Sequence, residues 1–235
     1  LEVTQRCNAS CPMCDRNENG GAVNQHIKNN LQELTLDDCI DMFPHDFIAQ
    51  LKTMYMCGNL GDPISARDTL EIFQWFRDCN PDMWLSMNTN AGARDPEWWA
   101  EVAKVIGRNG CVIFSVDGLE DTNHLYRIGV NYHVLMKNAT TFINAGGIAE
   151  WVFIKFKHNE HQEFLAEARS KELGFERFTV KNTTRFIGEE KYSVLNKEGQ
   201  VEYYIEPPSG NEVTFVTESM IRNYKTLLKE TSVDC

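Results

Sequence analysis

Three cysteines lie within eight residues near the start of the chain, in the stretch CNASCPMC at positions 7 to 14. Cys7, Cys11 and Cys14 place three soft thiolate ligands on one short loop. Such ligands suit iron–sulfur clusters or zinc. A four-iron cluster normally takes four cysteines, so three would leave one iron free to bind another molecule. The spacing therefore indicates a reactive cluster rather than a passive one.

A structural zinc site is the alternative for the same cysteines. Structural zinc takes four ligands, and the fourth would have to come from a distance, for example from His26. A zinc ribbon usually shows a second cysteine pair, and none stands nearby. Cys39, Cys79 and Cys111 lie in apolar surroundings and are interpreted as small core residues.

Length and composition restrict the class of protein. The chain has 235 residues, of which 42% are hydrophobic and 24% charged, as in a globular protein with a sizeable core. A net charge of −11 argues against nucleic-acid binding, which needs a basic face. No apolar run is long enough to span a membrane. The eight scattered cysteines form a poor disulfide framework and favour a reducing, cytoplasmic location.

Short apolar segments alternate with helical patterns along the chain, which predicts an α/β fold with a parallel sheet. Thr35 and Pro44 predict a capped helix that is split, Ser65 is a predicted helix cap, and Asn17 to Asn30 is a predicted polar loop. A partly closed barrel and a doubly wound sheet remain open, and both place function at the carboxyl ends of the strands. The six predicted strands are LEVTQR, TMYMC, MWLSMN, CVIFSV, AEWVFIKF and FERFTVK.

Four segments in order resemble the radical S-adenosylmethionine (radical SAM) superfamily. The Cys-x3-Cys-x2-Cys motif follows the first predicted strand. CGNLGDP at 57–63, NTNAG at 88–92 and FSVDG at 114–118 resemble the segments that follow the next three strands in that family. The resemblance extends from Leu1 to Arg185. It implies a partial (β/α)6 TIM-like barrel, open on one side, with a C-terminal extension.

The resemblance also implies chemistry. Cys7, Cys11 and Cys14 would hold a 4Fe–4S cluster, and S-adenosylmethionine (AdoMet) would bind its open iron. One electron would then cleave AdoMet into methionine and a 5′-deoxyadenosyl radical, which takes a hydrogen atom from a substrate. Asp62 stands where the family usually has Glu, and Met13 where an aromatic residue is common. The implied cofactor-binding residues are Met13, Asn59, Leu60, Gly61, Asp62, Asn90, Ser115, Arg127 and Lys155, with Asn159 as a further candidate.

The core domain is predicted over residues 1–187, followed by a linker and covering segment over 188–235. A helical pattern and Cys235 at the end resemble the approach to a SPASM or twitch domain, although an incidental cysteine is equally consistent. Such a domain would point to a peptide or protein substrate. The alternatives are a radical SAM enzyme for a small molecule or nucleoside, and a metal-binding or electron-transfer module. A flavodoxin or ferredoxin is the implied electron donor, and the chain is interpreted as a piece of a longer protein.

Overall fold

A five-stranded parallel sheet forms the centre of the computed structural model, which describes residues 1–186 and 190–210. Each strand pairs with the next strand in the sequence. A doubly wound sheet reverses its strand order at a switch point, and this sheet does not. The sheet therefore winds in one direction, as in a partial barrel. The strands are β1 (Thr53–Met56), β2 (Trp84–Thr89), β3 (Gly110–Ser115), β4 (Ala149–Lys155) and β5 (Arg177–Asn182).

Three short helices precede β1. They are α1 (Gln25–Asn29), α2 (Leu36–Met42) and α3 (His45–Ile48). Thr35 caps α2 in a reciprocal capping box with Asp38, as the sequence predicts. Proline at 44 separates α2 from α3, which confirms the predicted split. The predicted polar loop is interrupted by α1, because Asn24 accepts a hydrogen bond from the His26 N–H and starts a helical turn.

Helices connect the successive strands on the outside of the sheet. They are α4 (Thr69–Cys79), α5 (Pro96–Ile106), α6 (Asn123–Tyr126), α7 (Tyr132–Asn144) and α8 (Glu163–Leu173). Asp95 accepts a hydrogen bond from the Trp98 N–H at the start of α5. None of the helices in this described part of the chain is long and apolar enough to cross a membrane.

Two local predictions are wrong. LEVTQR does not form a regular strand: the Leu1 nitrogen donates to the Tyr55 carbonyl, but Val3 to Gln5 bond instead with residues 32 to 34. This change of hydrogen-bond partners, from β1 to residues 32 to 34, turns the chain away from β1 towards the cysteines. Ser65 does not cap α4, because it ends a short 3-10 turn begun by Pro63, and the helix starts after Asp68.

An aromatic cluster fills the space between the sheet and helices α5 and α7. Trp99, Phe114 and Phe142 are fully buried and have ring centroids 5.6 to 6.4 Å apart. Trp151 and Phe175 continue the cluster towards β4. Cys39 and Cys79 are buried among apolar residues, as predicted, whereas Cys111 is half-buried. This packing holds the strand ends in fixed relative positions.

An antiparallel hairpin, β6 (Tyr192–Leu195) and β7 (Val201–Ile205), follows the parallel sheet. The Leu195 N–H donates to the Asn19 carbonyl at 2.9 Å, and the Tyr192 hydroxyl donates to Asn19 Oδ1 at 2.8 Å. The Tyr203 hydroxyl donates to the Leu125 carbonyl in α6. The hairpin thus braces the loop that follows the cysteines. The domain boundary at 187 stays a prediction, and the predicted final helix and Cys235 lie outside the described residues.

Candidate functional site

A cavity of about 370 Å³ opens at the carboxyl edge of the sheet. This volume lies in the range of ordinary ligand pockets. The cysteine loop and the segments after the strands surround it, as parallel-strand geometry predicts. Its lining residues are Cys7, Ala9, Cys11, Cys14, Arg16, Asn17, Gly58, Asn59, Leu60, Gly61, Asp62, Asn88, Thr89, Asn90, Ser115, Tyr126, Arg127, Ile154, Lys181, Asn182, Thr183, Thr184 and Arg185.

All three clustered cysteines line this cavity, and each thiol has a different hydrogen-bond environment. Cys7 Sγ accepts from the Ala9 N–H at 3.4 Å and from Asn90 Nδ2 at 3.6 Å. Cys14 Sγ donates to the carbonyl oxygen of Asn59 at 3.6 Å. Cys11 Sγ accepts from Arg127 Nη1 at 3.6 Å. The loop is therefore oriented by contacts to segments that follow β1, β2 and β3.

Burial favours the protonated form of two of these thiols, Cys7 and Cys11. Burial, and then the negative charge of Asp62, raise the pKa of Cys7 to about 12. Burial also raises the pKa of Cys11, against the opposing effect of the Arg127 charge. Metals bind thiolates and displace these protons, so binding of a cluster would release protons from the loop.

The segment after β1 is tied to the start of the chain. Glu2 accepts from the Leu60 N–H at 2.6 Å and from Asn59 Nδ2 at 3.3 Å. The Asp62 N–H donates to the Arg6 carbonyl at 2.8 Å. A Cβ at Gly61 would lie only 1.9 Å from the Thr4 carbonyl oxygen, so this close approach requires glycine. The arrangement exposes backbone groups of residues 58–61 to the cavity.

Asp62 and Asn90 join the segment after β1 to the turn after β2. Asp62 Oδ2 accepts from the Asn90 N–H at 2.7 Å, and Oδ1 accepts from the Ile64 N–H at 3.2 Å. Burial raises the pKa of Asp62, while these N–H donors and the Thr89 side chain lower it. The resemblance predicts that this carboxylate meets a cofactor amino group, and the structure adds that each of its oxygens accepts a backbone N–H. The bond to the Asn90 N–H fixes the turn after β2.

Arg127 forms a buried ion pair with Asp117, which belongs to the FSVDG segment after β3. Its Nε donates to Asp117 Oδ2 at 2.6 Å, and the two side chains are 14% and 0% exposed. Asp117 Oδ1 accepts from the Ile154 N–H at 2.6 Å. Burial lowers the pKa of Arg127, but the charges of Asp117 and Cys11 raise it above its usual value, so the guanidinium stays charged.

Three predicted binding residues lie elsewhere. Met13 is 4% exposed and packs in the core, and its carbonyl accepts a hydrogen bond from Arg185. Lys155 pairs with Glu163 at 3.2 Å on the outer side of β4. Asn159 is fully buried, and its Nδ2 donates to the carbonyls of Asp117 and Ile154. Their side chains are absent from the cavity lining among the described residues, because packing, an ion pair and backbone bonds use them.

The cavity also contains cations that the sequence reading missed. Arg16 donates to the Gln5 carbonyl and to Asn17 Oδ1. Its side chain thereby joins a residue before the cysteine loop to a residue after it. Lys181 and Arg185 come from the end of β5 and face the same cavity. Lys181 ends the last predicted strand and Arg185 follows it, so the rule that function lies at strand ends is the signal that points to both. Nothing in the sequence near Arg16 indicated its role.

His158 lies behind the cavity wall and gives the chain a pH-dependent stability. Its ring stacks on Phe156, which packs on Tyr126 of the cavity. Burial, and then the neighbours His124 and His161, lower the pKa of His158 to about 4 from an ordinary 6.5. As the pH falls below 6.5, His158 therefore takes up a proton in the unfolded chain but stays neutral in the folded chain until the pH approaches 4. Stability is full above pH 6.5 and declines as the pH falls towards 4.

We expect His158 to account for on the order of 2 kcal/mol of this decline. Urea unfolding at pH 7 and pH 4.5 should show a smaller decline for His158→Phe than for the wild type. Phenylalanine keeps the ring stacking and cannot take the proton. A His45→Gln variant, changed at an exposed histidine, should retain the full decline; equal declines in all three proteins would contradict the assignment.

The cysteine loop supplies the three thiols that an iron–sulfur cluster with one open iron would need. Within residues 1–186 and 190–210, no three His, Cys, Asp or Glu side chains converge closely enough to hold one ion. A four-iron cluster binds each thiolate through a different iron, which requires a wider spacing than a single zinc does. His26, the considered zinc ligand, lies in α1 and is absent from the cavity lining among these residues. Three thiols on one cavity wall, two of which accept hydrogen bonds at sulfur, are the donor set that a cluster with one open iron would take.

Comparison with known proteins shows the fold. No protein-family model and no curated protein sequence matches this chain. Streptococcus suis SuiB, in a structure bound to the precursor peptide SuiA, superposes with a TM-score of 0.62 at 15% identity, over 86% of this chain and 41% of that chain. The protein anSMEcpe, with bound AdoMet and Cp18Cys peptide, gives 0.54 at 15% identity, over 77% and 48%.

Methylornithine synthase (PylB) gives a TM-score of 0.56 at 11% identity, over 97% of this chain and 61% of that chain. This chain thus spans between about two fifths and three fifths of the length of these three neighbours. SuiB and anSMEcpe have both been solved with bound S-adenosylmethionine. The likeness confirms for this chain the partial-barrel fold that its motifs predicted.

Proposed function

We propose that this chain is a radical SAM enzyme that cleaves AdoMet reductively at a 4Fe–4S cluster. The observation that carries the proposal is the convergence of Cys7, Cys11 and Cys14 on one cavity with the segments that follow β1, β2 and β3. When bound and reduced, such a cluster supplies the electron that splits the sulfonium carbon–sulfur bond. Methionine and a 5′-deoxyadenosyl radical are the products.

The chain's own residues would position AdoMet. Asn59, Leu60 and Gly61 line the cavity, and backbone carbonyl oxygens of this segment would suit the cationic amino group of AdoMet. Ser115 at the end of β3 offers a hydroxyl for the ribose or the carboxylate. Arg127 has its Nε and Nη1 committed to Asp117 and Cys11, which leaves Nη2 for the carboxylate. Asn90 holds the cysteine loop through Cys7 and Asn8.

We propose a peptide or protein as the substrate. Two of the structural neighbours were solved with bound peptides. The cavity lining includes polar groups at the end of β5 and just after it, among them Lys181, Thr183 and Thr184, which suit the polar surface of a peptide. A flavodoxin or ferredoxin is the proposed electron donor.

Anaerobic reconstitution of the full chain with iron and sulfide tests the proposal. We expect about four irons per chain. After addition of dithionite and AdoMet, 5′-deoxyadenosine should accumulate in liquid chromatography with mass detection, and should be absent without dithionite. A loaded cluster that never releases the nucleoside would instead identify an electron-transfer module, and bound zinc would identify a structural site.

A further inference from the structure

We infer that Arg127, held by Asp117, donates a charged hydrogen bond to the Cys11 ligand and thereby raises the reduction potential of the cluster. The inference rests on the proposed function, because it needs the cluster in place. It assigns to Arg127 a task that differs from recognition of AdoMet. Asp117 acts as a positioning residue, since it touches Arg127 and not the thiol.

The pair is rigid and desolvated. Asp117 is completely buried, and the Ile154 N–H holds its Oδ1 at 2.6 Å. Its backbone is fixed on both sides, because its N–H donates to Asn123 Oδ1 and its carbonyl accepts from Asn159 Nδ2, both at 2.9 Å. A guanidinium anchored on such a carboxylate has little freedom to move. Its Nη1 therefore stays directed at Cys11 Sγ, at 3.6 Å.

Cys11 differs from the other two thiols in this respect. The donors to Cys7 Sγ are a neutral backbone N–H and the neutral Asn90 amide. Cys14 Sγ faces a carbonyl oxygen. Among the described residues, Cys11 is thus the clustered cysteine with a charged hydrogen-bond donor. Charge-assisted hydrogen bonds are about twice as strong as neutral ones.

A positive charge on a cluster ligand favours electron uptake. One-electron reduction adds a negative charge to the cluster and its thiolates, and hydrogen bonds to the sulfurs are a known control of cluster potential. In the low dielectric of a buried site the attraction is larger than in water. Loss of the Arg127 charge should therefore make the cluster harder to reduce.

Redox titration of reconstituted protein, followed by electron paramagnetic resonance, tests this inference. The neutral pair Arg127→Gln with Asp117→Asn removes both charges, so that no unpaired charge stays buried. Its midpoint potential should be more negative than that of the wild type, and Arg127→Lys should fall between them. Arg185→Gln is the matched control, because Arg185 lines the same cavity but donates to the Met13 carbonyl, and its potential should shift less.

Pulsed resonance on protein labelled with ¹⁵N-arginine supplies a second readout. The wild type and Arg185→Gln should show weak nitrogen coupling to the reduced cluster, and Arg127→Lys should lose it. Equal potentials in all variants, or an equal shift in Arg185→Gln, would overturn the inference. Loss of iron in all Arg127 variants, but not in Arg185→Gln, would also overturn the inference. Arg127 and Asp117 would then be needed to assemble the site rather than to set its potential. Failure of the wild type to bind iron would instead refute the proposed function.

Discussion

Replacement of Cys11 with alanine is expected to reduce 5′-deoxyadenosine formation to background. Cys11 lies between the other two cysteines on the loop, is buried in the cavity wall and receives the Arg127 hydrogen bond. With only two cysteines left, the loop cannot hold a four-iron cluster, so iron content after reconstitution should fall far below about four per chain. Iron analysis and nucleoside detection on the same preparation measure both effects.

Cys39→Ala is the matched control for this experiment. Cys39 is fully buried in α2, outside the cavity, and also lacks a disulfide partner. The control should lose some stability through the small void it leaves, yet keep its iron and its nucleoside release. If Cys11→Ala released as much 5′-deoxyadenosine as the control, the assignment of the cysteine loop would be wrong.

The second large effect is expected from Gly61→Ala, which adds a single methyl group. The new Cβ would lie 1.9 Å from the Thr4 carbonyl oxygen and 2.9 Å from the Arg6 carbonyl oxygen. Both are backbone atoms of the segment that leads into Cys7, so the segment after β1 must move away. A displacement of about 1 Å at a positioning group can cost about 100-fold in rate. We expect a loss of that size in nucleoside formation, with AdoMet affinity reduced as well.

Leu60→Ala separates this backbone effect from the loss of a side chain. The contact of Leu60 with Glu2 is made by its backbone N–H, which the variant retains. Its AdoMet affinity, measured by equilibrium binding to the loaded protein, should stay within a few-fold of the wild type. A Gly61→Ala protein that bound AdoMet as tightly as Leu60→Ala would contradict the proposed role of this segment.

The strand-end residues could be predicted from the sequence because parallel strands leave little choice. Asn59, Asn90 and Ser115 each follow an apolar run that a turn interrupts, and all such ends meet at one edge of a parallel sheet. The starts of helices could also be predicted where a capping side chain is present, as at Thr35 and Asp95. Local signals of this kind need no knowledge of distant partners.

The failures depend on distant partners. LEVTQR alternates like a strand, but whether it becomes one depends on residues 32 to 34, which take its hydrogen bonds. Asp62 has the charge expected of a ligand for an amino group, and nothing in the sequence indicates that its carboxylate also accepts the Asn90 N–H. The pairing of Arg127 with Asp117 joins residues ten positions apart through the end of β3. In each case the sequence indicates the chemical group and leaves its partner undetermined.

The hairpin β6–β7 has a consequence for the biogenesis of the site. Asn19, five residues beyond the last clustered cysteine, is bonded by Tyr192 and Leu195, and the Tyr192 contact spans 173 residues of sequence. The ribosome delivers the cysteines before their brace, so an emerging chain carries three thiols on an unbraced loop until the hairpin, 173 residues beyond Asn19, has been made. Iron insertion into a braced loop is therefore expected only after the hairpin itself has been synthesised.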